Sequence, residues 1–333
     1  MKVLVTGAGG FLGGAIAARL RERGWEVRSL ARGAYPSLDA LGVVQVRGDL
    51  ADAAAVSEAA RGCDAVFHVA AKAGVWGPYE AYHRANVVGT RHVLEACRAH
   101  GVSRLVYTST PSVVHGGGDV EGLDESAPYA THFETHYPAT KAEAERMVLA
   151  AHGPDLMTVA LRPHLIWGPG DNHLVPRIVA RARAGRLRLI GGPPKKVDAT
   201  YIDNAAWAHV LALDKLAPGA ACGGRAYFIA QGEPLPMNEL VNRILGAVGL
   251  PPVTKTVPPR VAWLAGAAME GAWRLLGRQD EPLMTRFVAR QLSTAHWYDL
   301  SAAKRDLGYE AQVPLAEGLA RLGAWWKAHP DGV

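Results

Sequence analysis

The 333-residue sequence has only three cysteines and only 7% aromatic residues. The cysteines, Cys63, Cys97 and Cys222, are odd in number and far apart, which argues against a disulfide framework and favours buried thiols in a reducing cytoplasm. No apolar run reaches the roughly 20 residues needed to span a bilayer. The N-terminus does not resemble a signal peptide, because a predicted strand begins at Lys2. These features predict a cytoplasmic protein.

An excess of charge of one sign is also missing. The chain has 36 basic and 31 acidic residues, which give a net charge of +5. Because this excess is mild and spread along the chain, it does not require a nucleic-acid partner; it fits a solvated surface or the steering of anionic ligands. Hydrophobic residues make up 49% of the chain, which is ample for a core, and the length suits two domains or one large one.

The most informative segment is the N-terminal run MKVLVTGAGGFLGG. It predicts a buried strand over Lys2–Thr6 and a helix that begins at Phe11. Gly7 permits the tight turn after the strand, Gly10 lets the backbone approach a pyrophosphate, and Gly13 lets the helix pack on the sheet. The free N–H groups and the partial positive charge at the start of the helix favour phosphates. We therefore predict dinucleotide binding here.

Strands and helices alternate along the first half of the chain. The predicted strands are Lys2–Thr6, Glu26–Ala31, Val43–Arg47, Ala65–Val69, Arg104–Ser109 and Met157–Arg162. The predicted helices are Phe11–Arg23, Ala53–Ala60, Tyr79–His100 and Tyr137–His152, and residues 116–126 are predicted to form a polar, glycine-rich loop. This order predicts an α/β fold with a doubly wound parallel sheet, in which ligands bind at the carboxyl ends of the strands.

Beyond Arg162 the composition changes and prolines cluster. A basic segment, Arg177–Arg188, is interpreted as an amphipathic surface helix in preference to an anion site. The sequence predicts helices over Tyr201–Leu213 and Met237–Val248 and a strand over Ala226–Ala230. The predicted division is a dinucleotide-binding domain over 1–165, with 201–230 returning to it, and a smaller, interleaved substrate-binding domain over 166–200 and 231–333.

Tyr137 and Lys141 are four residues apart and so share one face of a predicted helix. An ammonium beside the phenol would lower the tyrosine pKa, which would let it exchange a proton with a carbonyl or alcohol oxygen. The preceding strand ends in Tyr107-Thr108-Ser109-Thr110, which offers a hydroxyl for the same oxygen. Taken alone, the pair also fits an ordinary surface Tyr and Lys, and Asn86 on the preceding helix also fits a buried side chain bonded to backbone.

The chain resembles the extended short-chain dehydrogenase/reductases over more than half of its length. The matching motifs, in the family's order, are TGAGGFLG (6–13), GDL (48–50), HVAA (68–71), NVVGT (86–90), YTST (107–110), YPATK (137–141), LRPHLIWGPGD (161–171) and YIDNAAWAH (201–209). The resemblance implies a Rossmann domain with a smaller substrate domain. It also implies a homodimer in which the helices that contain Asn86 and Tyr137 form a four-helix bundle.

The same resemblance implies roles for individual residues. Tyr137 is the general acid/base, Lys141 binds the nicotinamide ribose and tunes Tyr137, and Asn86 supports Lys141 through water. Thr110 is the hydroxyl partner, with Ser109 as the alternative. The implied cofactor contacts are, besides Tyr137 and Lys141, Gly7, Gly10, Phe11, Leu12, Arg32, Asp49, Leu50, Ala70, Ala71, Pro163 and His164, of which Asp49 contacts adenine and the last two lie by the nicotinamide.

The end of the second strand indicates which nicotinamide cofactor is used. NAD selectivity usually needs a carboxylate there, but Ala31 occupies that position and Arg32 follows it. An arginine suits a 2′-phosphate through planar, charge-assisted hydrogen bonds. We therefore predict NADP(H), with Ser29 or Arg28 assisting. The alternative is that Arg32 only stacks on adenine and that either cofactor binds.

Resemblances in the C-terminal half narrow the substrate. The segments RFVARQLSTAHWY (286–298) and KRDLGYEAQVPLAEGL (304–319) resemble the 3β-hydroxysteroid dehydrogenase branch. AAKAGVWG (70–77), YTSTPSVVHGG (107–117) and STAHWY (293–298) resemble the OleD family of reductases in bacterial long-chain olefin biosynthesis. The second likeness implies NADPH-dependent reduction of a 2-alkyl-3-ketoalkanoic acid, a lipid-like substrate with two alkyl chains and a carboxylate.

Three points stay open at this level. Arg290, Arg177 and His164 are all candidates for binding the substrate carboxylate. A 3β-hydroxysteroid or sterol-carboxylate dehydrogenase is an alternative enzyme on the same scaffold. A non-catalytic NADP(H)-sensing scaffold is an alternative of another class, although the presence of Thr110, Tyr137 and Lys141 together argues against it.

A last segment, Val261–Gly277, carries apolar residues at helical spacing. It predicts either a packed helix or a hydrophobic lid over a lipid-like ligand, in contact with a membrane surface or a pathway enzyme. Glu270 and Arg274 argue against a spanning segment. No metal site is predicted, because His132 and His136 are four residues apart but lack a third ligand at suitable spacing.

Overall fold

A seven-stranded, fully parallel sheet forms the centre of the computed structural model, which describes residues 1–330. In chain order the strands are β1 Lys2–Thr6, β2 Glu26–Ala31, β3 Val44–Arg47, β4 Ala65–His68, β5 Arg104–Thr108, β6 Val120–Leu123, β7 Met157–Pro163, β8 Ile166–Trp167, β9 Leu189–Ile190, β10 Lys196–Val197, β11 Thr200–Tyr201, β12 Ala226–Ile229, β13 Leu235–Pro236, β14 Thr256–Val257 and β15 His296–Tyr298. The order across the central sheet is β12-β7-β5-β4-β1-β2-β3, so the predicted doubly wound α/β fold is confirmed.

Helices cover both faces of this sheet. They are α1 Phe11–Glu22, α2 Pro36–Ala40, α3 Ala53–Ala60, α4 Tyr79–His83, α5 Gly89–Ala99, α6 His136–Ala150, α7 Leu174–Arg183, α8 Ile202–Lys215, α9 Met237–Ala247, α10 Pro259–Leu275, α11 Arg286–Gln291 and α12 Leu315–Ala328. A π-helical turn, Arg84–Val88, joins α4 to α5, a second lies at Ala303–Leu307, and a 3₁₀ turn lies at Pro111–Val113.

The two faces of the sheet build separate cores because strand side chains alternate. In β1, Val3 and Val5 join the core that α1 and α8 cover, whereas Leu4 joins the core beneath α3, α5 and α6. This double burial explains why the strands are near-continuous hydrophobic runs. Because these strands pair in parallel, the carboxyl ends of β1, β4, β5 and β7 lie along one edge of the sheet.

The predicted strands and helices of the first half begin and end within two residues of the observed ones, but the helix predicted over Tyr79–His100 is divided by the π-helical turn and α2 was not predicted. Residues 116–126 are not only loop, since they contain β6, which pairs in parallel with β15 in a second sheet of order β13-β10-β15-β6. The amide of Val120 donates to the carbonyl oxygen of Ala295 at 2.7 Å. Because β15 lies far along the chain from β6, no local sequence pattern predicts this strand.

The second half returns to the central sheet, as α8 packs on α1 and β12 pairs with β7. The basic segment differs from its prediction, because α7 ends at Arg183 and the arginines at 186 and 188 follow it. The division of the chain into a cofactor-binding and a substrate-binding domain stays our proposal.

Helix α10 does not bury its predicted apolar stripe. The exposed fractions of Val261 and Leu275 are 52% and 88%, whereas Gly266 and Glu270 face the protein. A Cβ at Gly266 would lie 2.5 Å from the carbonyl carbon of Thr285, so glycine is what permits this close approach to the start of α11. The packed-helix interpretation is therefore wrong for that stripe.

The three cysteines are buried and free, as predicted. Within residues 1–330 no helix combines the length and the apolar character that crossing a membrane requires.

Candidate active site

The glycine-rich turn between β1 and α1 has the geometry of a pyrophosphate cradle. Gly7 has φ +72°, and its carbonyl oxygen accepts a 2.9 Å hydrogen bond from the amide of Gly10. A Cβ at Gly13 would lie 2.2 Å from that same oxygen, so no side chain fits there. Helix α1 begins after Gly10 without a side-chain cap, which leaves the first-turn N–H groups, including those of Phe11 and Leu12, directed at the cradle.

A residue that sequence reasoning missed, Tyr35, covers this turn. Its ring atoms lie 2.3 Å from where a Cβ on Gly9 would stand, and its hydroxyl lies 3.3 Å from the equivalent point on Gly33. Gln45 fixes the main chain of Tyr35 with hydrogen bonds of 2.9 and 3.1 Å. The sequence feature that could have indicated this contact is an aromatic residue four positions after the end of β2.

The end of β2 presents Arg32 alone among the residues predicted to bind a 2′-phosphate. Arg32 is exposed directly after the strand. Arg28 instead donates to the carbonyl oxygens of Glu58 and Arg61, at 3.1 Å each, and so caps the end of α3. Ser29 is 1% exposed and lies within the core. The predicted help from Arg28 or Ser29 is therefore wrong.

The other predicted cofactor contacts lie along the same edge. Oδ1 of Asp49 accepts a 2.9 Å hydrogen bond from the amide of Ala51. The amide of Ala70 donates to the hydroxyl of Thr6 at 3.2 Å, which ties the end of β4 to the end of β1. Three further predicted contacts are partly buried, namely Phe11, Leu50 and Ala71.

Tyr137 and Thr110 come together from different segments. Tyr137 lies in the first turn of α6, and Thr110 caps the 3₁₀ turn that follows β5. Burial raises the pKa of Tyr137 to about 12, and hydrogen bonding to Thr110 opposes that shift. The predicted lowering of this pKa by Lys141 is therefore wrong, and the phenol is protonated at neutral pH. Ser109, the alternative partner, instead contributes to lowering the pKa of Glu145.

The amine of Lys141 hydrogen-bonds to the end of β5. Its Nζ donates to the carbonyl oxygen of Thr108 at 2.6 Å and lies 4.1 Å from the ring centre of Tyr107. Burial lowers the pKa of Lys141 to about 7, and the carboxylate of Glu145 opposes this. Desolvation thus favours the neutral amine, so the ammonium charge on which the sequence prediction relied is carried by only about half of the molecules at pH 7.

Asn86 lies in the π-helical turn and is 2% exposed. Its Oδ1 accepts from the amide of Lys72 at 2.7 Å, and its Nδ2 donates to the Lys72 carbonyl oxygen at 3.1 Å and to the hydroxyl of Thr140 at 3.0 Å. These contacts hold the loop after β4 against α6, in line with the backbone-bonded alternative. The predicted water bridge to Lys141 stays a prediction.

His164 follows Pro163 at the end of β7 and is 5% exposed. Its Nδ1 lies 2.7 Å from the carbonyl oxygen of Asp198, and its ring packs edge-on against His296 at 5.2 Å. Burial, together with His296, lowers the pKa of His164 to about 3. A neutral, enclosed imidazole is a poor partner for a substrate carboxylate.

A cavity of about 600 Å³ opens beside the first turn of α6, where Thr135 and His136 line it. Arg290 lines the same cavity. Arg177 lines a second, largely apolar cavity of about 370 Å³ and is bound to Glu281 through hydrogen bonds of 3.0 and 3.2 Å. Of the three candidates for the carboxylate, Arg290 is the one that lines the cavity at the start of α6.

The two histidines at helical spacing, His132 and His136, also line the larger cavity. The ring of His136 packs edge-on against Tyr79 at 5.5 Å. In the described part of the chain no three His, Cys, Asp or Glu side chains are grouped to hold a metal ion.

Sequence comparison places this site in a known context. Residues 4–259 match the 3-beta hydroxysteroid dehydrogenase/isomerase family. A 2-alkyl-3-oxoalkanoate reductase of Stenotrophomonas maltophilia is 59% identical over 97% of this chain and 99% of its own length. Another of the same name, from Shewanella oneidensis, is 53% identical over 96% of this chain and 85% of its own length.

The fold has solved relatives as well. The structure of MoeE5 in complex with UDP-glucose and NAD superposes with a TM-score of 0.76 at 27% identity, and the match covers 99% of this chain and 100% of that one. This likeness extends over the whole of the described fold.

Proposed function

The chain belongs to the 3-beta hydroxysteroid dehydrogenase/isomerase family, and from this premise we propose that it reduces a 2-alkyl-3-oxoalkanoic acid to the 3-hydroxy acid with NADPH. It is an oxidoreductase that uses a nicotinamide dinucleotide. The observation that carries the proposal is the hydrogen bonding of Tyr137 to Thr110, next to Thr135 and His136 of the larger cavity, in a chain 59% identical to a reductase of that name.

The chain's own residues account for the proton chemistry. When bound, the nicotinamide supplies a hydride to the ketone carbon. Thr110 and Tyr137 donate hydrogen bonds to the ketone oxygen, and Tyr137 gives up its proton as charge develops there. A phenol whose pKa is raised to about 12 is fully protonated at neutral pH, which suits the reductive direction.

The turn after β1 fits a dinucleotide, since Gly13 lets α1 pack directly on the turn and the first-turn N–H groups of α1 have no side-chain cap. Arg32 supports the choice of NADP(H), because it is an exposed cation at the end of β2 where Ala31 replaces a carboxylate. In Arg32→Ala we expect the affinity for NADPH to fall by about tenfold or more, as a charge-assisted hydrogen bond is lost, while the affinity for NADH is retained. Equal losses for both cofactors would defeat this part of the proposal.

The test of the activity is a substrate panel followed by the absorbance of reduced nicotinamide. Wild-type enzyme consumes NADPH with 2-alkyl-3-keto acids and does not reduce NAD(P)⁺ with 3β-hydroxysteroids. Tyr137→Phe loses turnover but keeps cofactor binding. Tyr227→Phe is the matched control, because Tyr227 lies in β12 at the edge of the sheet and its hydroxyl hydrogen-bonds to Asp306. Steroid oxidation without keto-acid reduction would overturn the assignment.

The proposal extends to the surroundings of the enzyme. A cytoplasmic location in long-chain olefin biosynthesis fits the three free thiols. A homodimer through α5 and α6 follows from the family resemblance and is checked by light scattering. Helix α10, with Leu264 and Leu275 exposed beside Arg260 and Arg274, is where a peripheral membrane or pathway-enzyme contact is proposed. Co-sedimentation with anionic vesicles, which Leu275→Ser weakens, tests the membrane contact.

A further inference from the structure

The larger cavity holds an unusual amount of positive charge for a site that takes an alkyl chain. Aromatic rings, including those of Trp76, Trp273 and Phe287, supply much of its wall. Four arginines also line it, namely Arg274, Arg278, Arg286 and Arg290. A carboxylate on the substrate would pair with one of these guanidinium groups.

All four guanidinium groups have an acidic neighbour. Arg286 donates to Glu270 through Nε at 2.9 Å and also pairs with it through Nη2 at 2.7 Å. Arg274 approaches the same carboxylate at 3.8 Å and lies over the ring of Trp76 at 5.7 Å. Arg278 makes two hydrogen bonds with Asp280, at 2.8 and 2.7 Å. Glu270 and Asp280 therefore offset two of these three positive charges, since Arg274 and Arg286 share one carboxylate.

Arg290 differs in its partner: its Nη1 pairs with Glu134, which lies three residues before Tyr137, and this ion pair is the polar contact that its guanidinium makes within residues 1–330. A guanidinium carries five N–H donors in a planar fork, so this contact leaves donors for a second carboxylate. The side chain is 38% exposed and lies against Gly117, where a Cβ would stand 2.8 Å from Nη1. Glycine at 117, with φ +93°, thus makes room for the guanidinium.

The position of Arg290 matches the geometry of a 3-keto acid. In such a substrate the carboxyl carbon is two bonds from the ketone carbon, so the carboxylate must bind close to the groups that hold the ketone oxygen. Glu134 precedes Tyr137 by three residues, and Gly117 follows the 3₁₀ turn that Thr110 caps. Arg290, in α11, therefore contacts the residue three positions before Tyr137 and the loop that follows the 3₁₀ turn.

We propose that Arg290 is the residue that binds the substrate carboxylate and so sets the preference for 3-keto acids over plain ketones. Glu134 holds the guanidinium in place before the substrate binds and competes with the substrate for it. This inference rests on the proposed function, whose ketone chemistry assigns no role to Arg290.

The experiment compares a 2-alkyl-3-keto acid with the ketone that forms from it by decarboxylation, which has the same chains but no carboxylate. We expect the wild type to prefer the acid. In Glu134→Gln/Arg290→Gln, which removes both charges together, kcat/KM for the acid falls by about 10- to 100-fold through KM, as befits a lost charge-assisted contact. The kcat/KM of this double variant for the ketone is unchanged. Glu134→Gln alone lowers KM for the acid, because a competitor for the guanidinium is gone.

Arg278→Gln is the matched control, since it removes an arginine of the same cavity that Asp280 already neutralises, and its preference for the acid stays that of the wild type. Equal losses on acid and ketone in the double variant, or no loss on the acid, would overturn the role of Arg290. A wild-type enzyme that reduces neither compound would instead overturn the proposed function, which is a separate outcome.

Discussion

The carboxylate of Glu145, which lies one helical turn beyond Lys141 in α6, accepts two hydrogen bonds from Arg162, at 2.6 and 3.0 Å. The two side chains are 0% and 4% exposed. The hydroxyl of Tyr129 adds a third hydrogen bond to the same carboxylate at 2.7 Å. Because Glu145 is also the charge that opposes the lowering of the Lys141 pKa, this buried pair links the stability of α6 to the chemistry of the site.

Removing one partner of this pair leaves a buried charge without compensation. Glu145→Gln is expected to lower the free energy of unfolding by about 3–5 kcal/mol. Although burial raises the pKa of Glu145, its bonds to Arg162 more than offset this and lower it overall. The stability that the pair contributes is therefore present above the unfolded-state pKa of the carboxyl and is lost as the pH falls through the folded-state pKa.

Urea unfolding at neutral and acidic pH measures both effects. The double variant Glu145→Gln/Arg162→Met is the control, and it should recover much of the lost stability because the unpaired guanidinium is removed as well. If the double variant were no more stable than the single one, uncompensated charge would not be the cause.

Lys141 is expected to take up a proton when the cofactor binds. Its pKa in the free protein is about 7, so at pH 8 most molecules carry a neutral amine, and a ribose bound by the ammonium form requires protonation. Cofactor affinity should therefore fall as the pH rises above 7. Calorimetric titration with NADPH at pH 8, in two buffers of different ionisation enthalpy, counts the protons. Lys141→Met should abolish the uptake, and an unchanged proton count in this variant would contradict the prediction.

Thr110 is expected to hold the ketone oxygen, and Ser109 is not. Thr110→Val removes a hydrogen-bond donor at the developing charge and should lower kcat by about 10²- to 10³-fold with little change in cofactor affinity. Ser109→Ala is the matched control, because Ser109 lies on the side of Glu145 and should leave kcat nearly unchanged. Steady-state kinetics on both variants decide between them, and a larger loss in Ser109→Ala would reverse the assignment.

The close approach at Gly13 predicts that even one methyl group is not tolerated there. In Gly13→Ala the new Cβ would lie 2.2 Å from the carbonyl oxygen of Gly7, so we expect a lower melting temperature and loss of cofactor binding. Gly246, in α9, is different, because a Cβ added there would have no atom within 4 Å. Gly246→Ala should therefore stabilise the protein, by up to about 1 kcal/mol. Thermal unfolding with and without NADPH compares the two, and similar behaviour of both variants would refute the packing argument.

Much of this architecture could be predicted from the sequence because its signals are local. A buried parallel strand is a short apolar run, and the turn after β1 needs glycines at fixed spacing, so Gly7, Gly10 and Gly13 marked the cradle without knowledge of the fold. Four-residue spacing placed Tyr137 and Lys141 on one helix. The strand β6 was missed because its pairing partner, β15, lies more than 170 residues further along the chain.

The sequence by itself determined the order of strands and helices, the phosphate turn and the residue types available for proton transfer, since these depend on neighbours along the chain. Only the tertiary structure decided how each side chain is solvated and what it faces. It turned Lys141 toward Thr108 and raised the pKa of Tyr137 by burial, and it directed Arg28 to the end of α3. Desolvation and long-range hydrogen bonds depend on distant segments of the chain, and no local pattern encodes them.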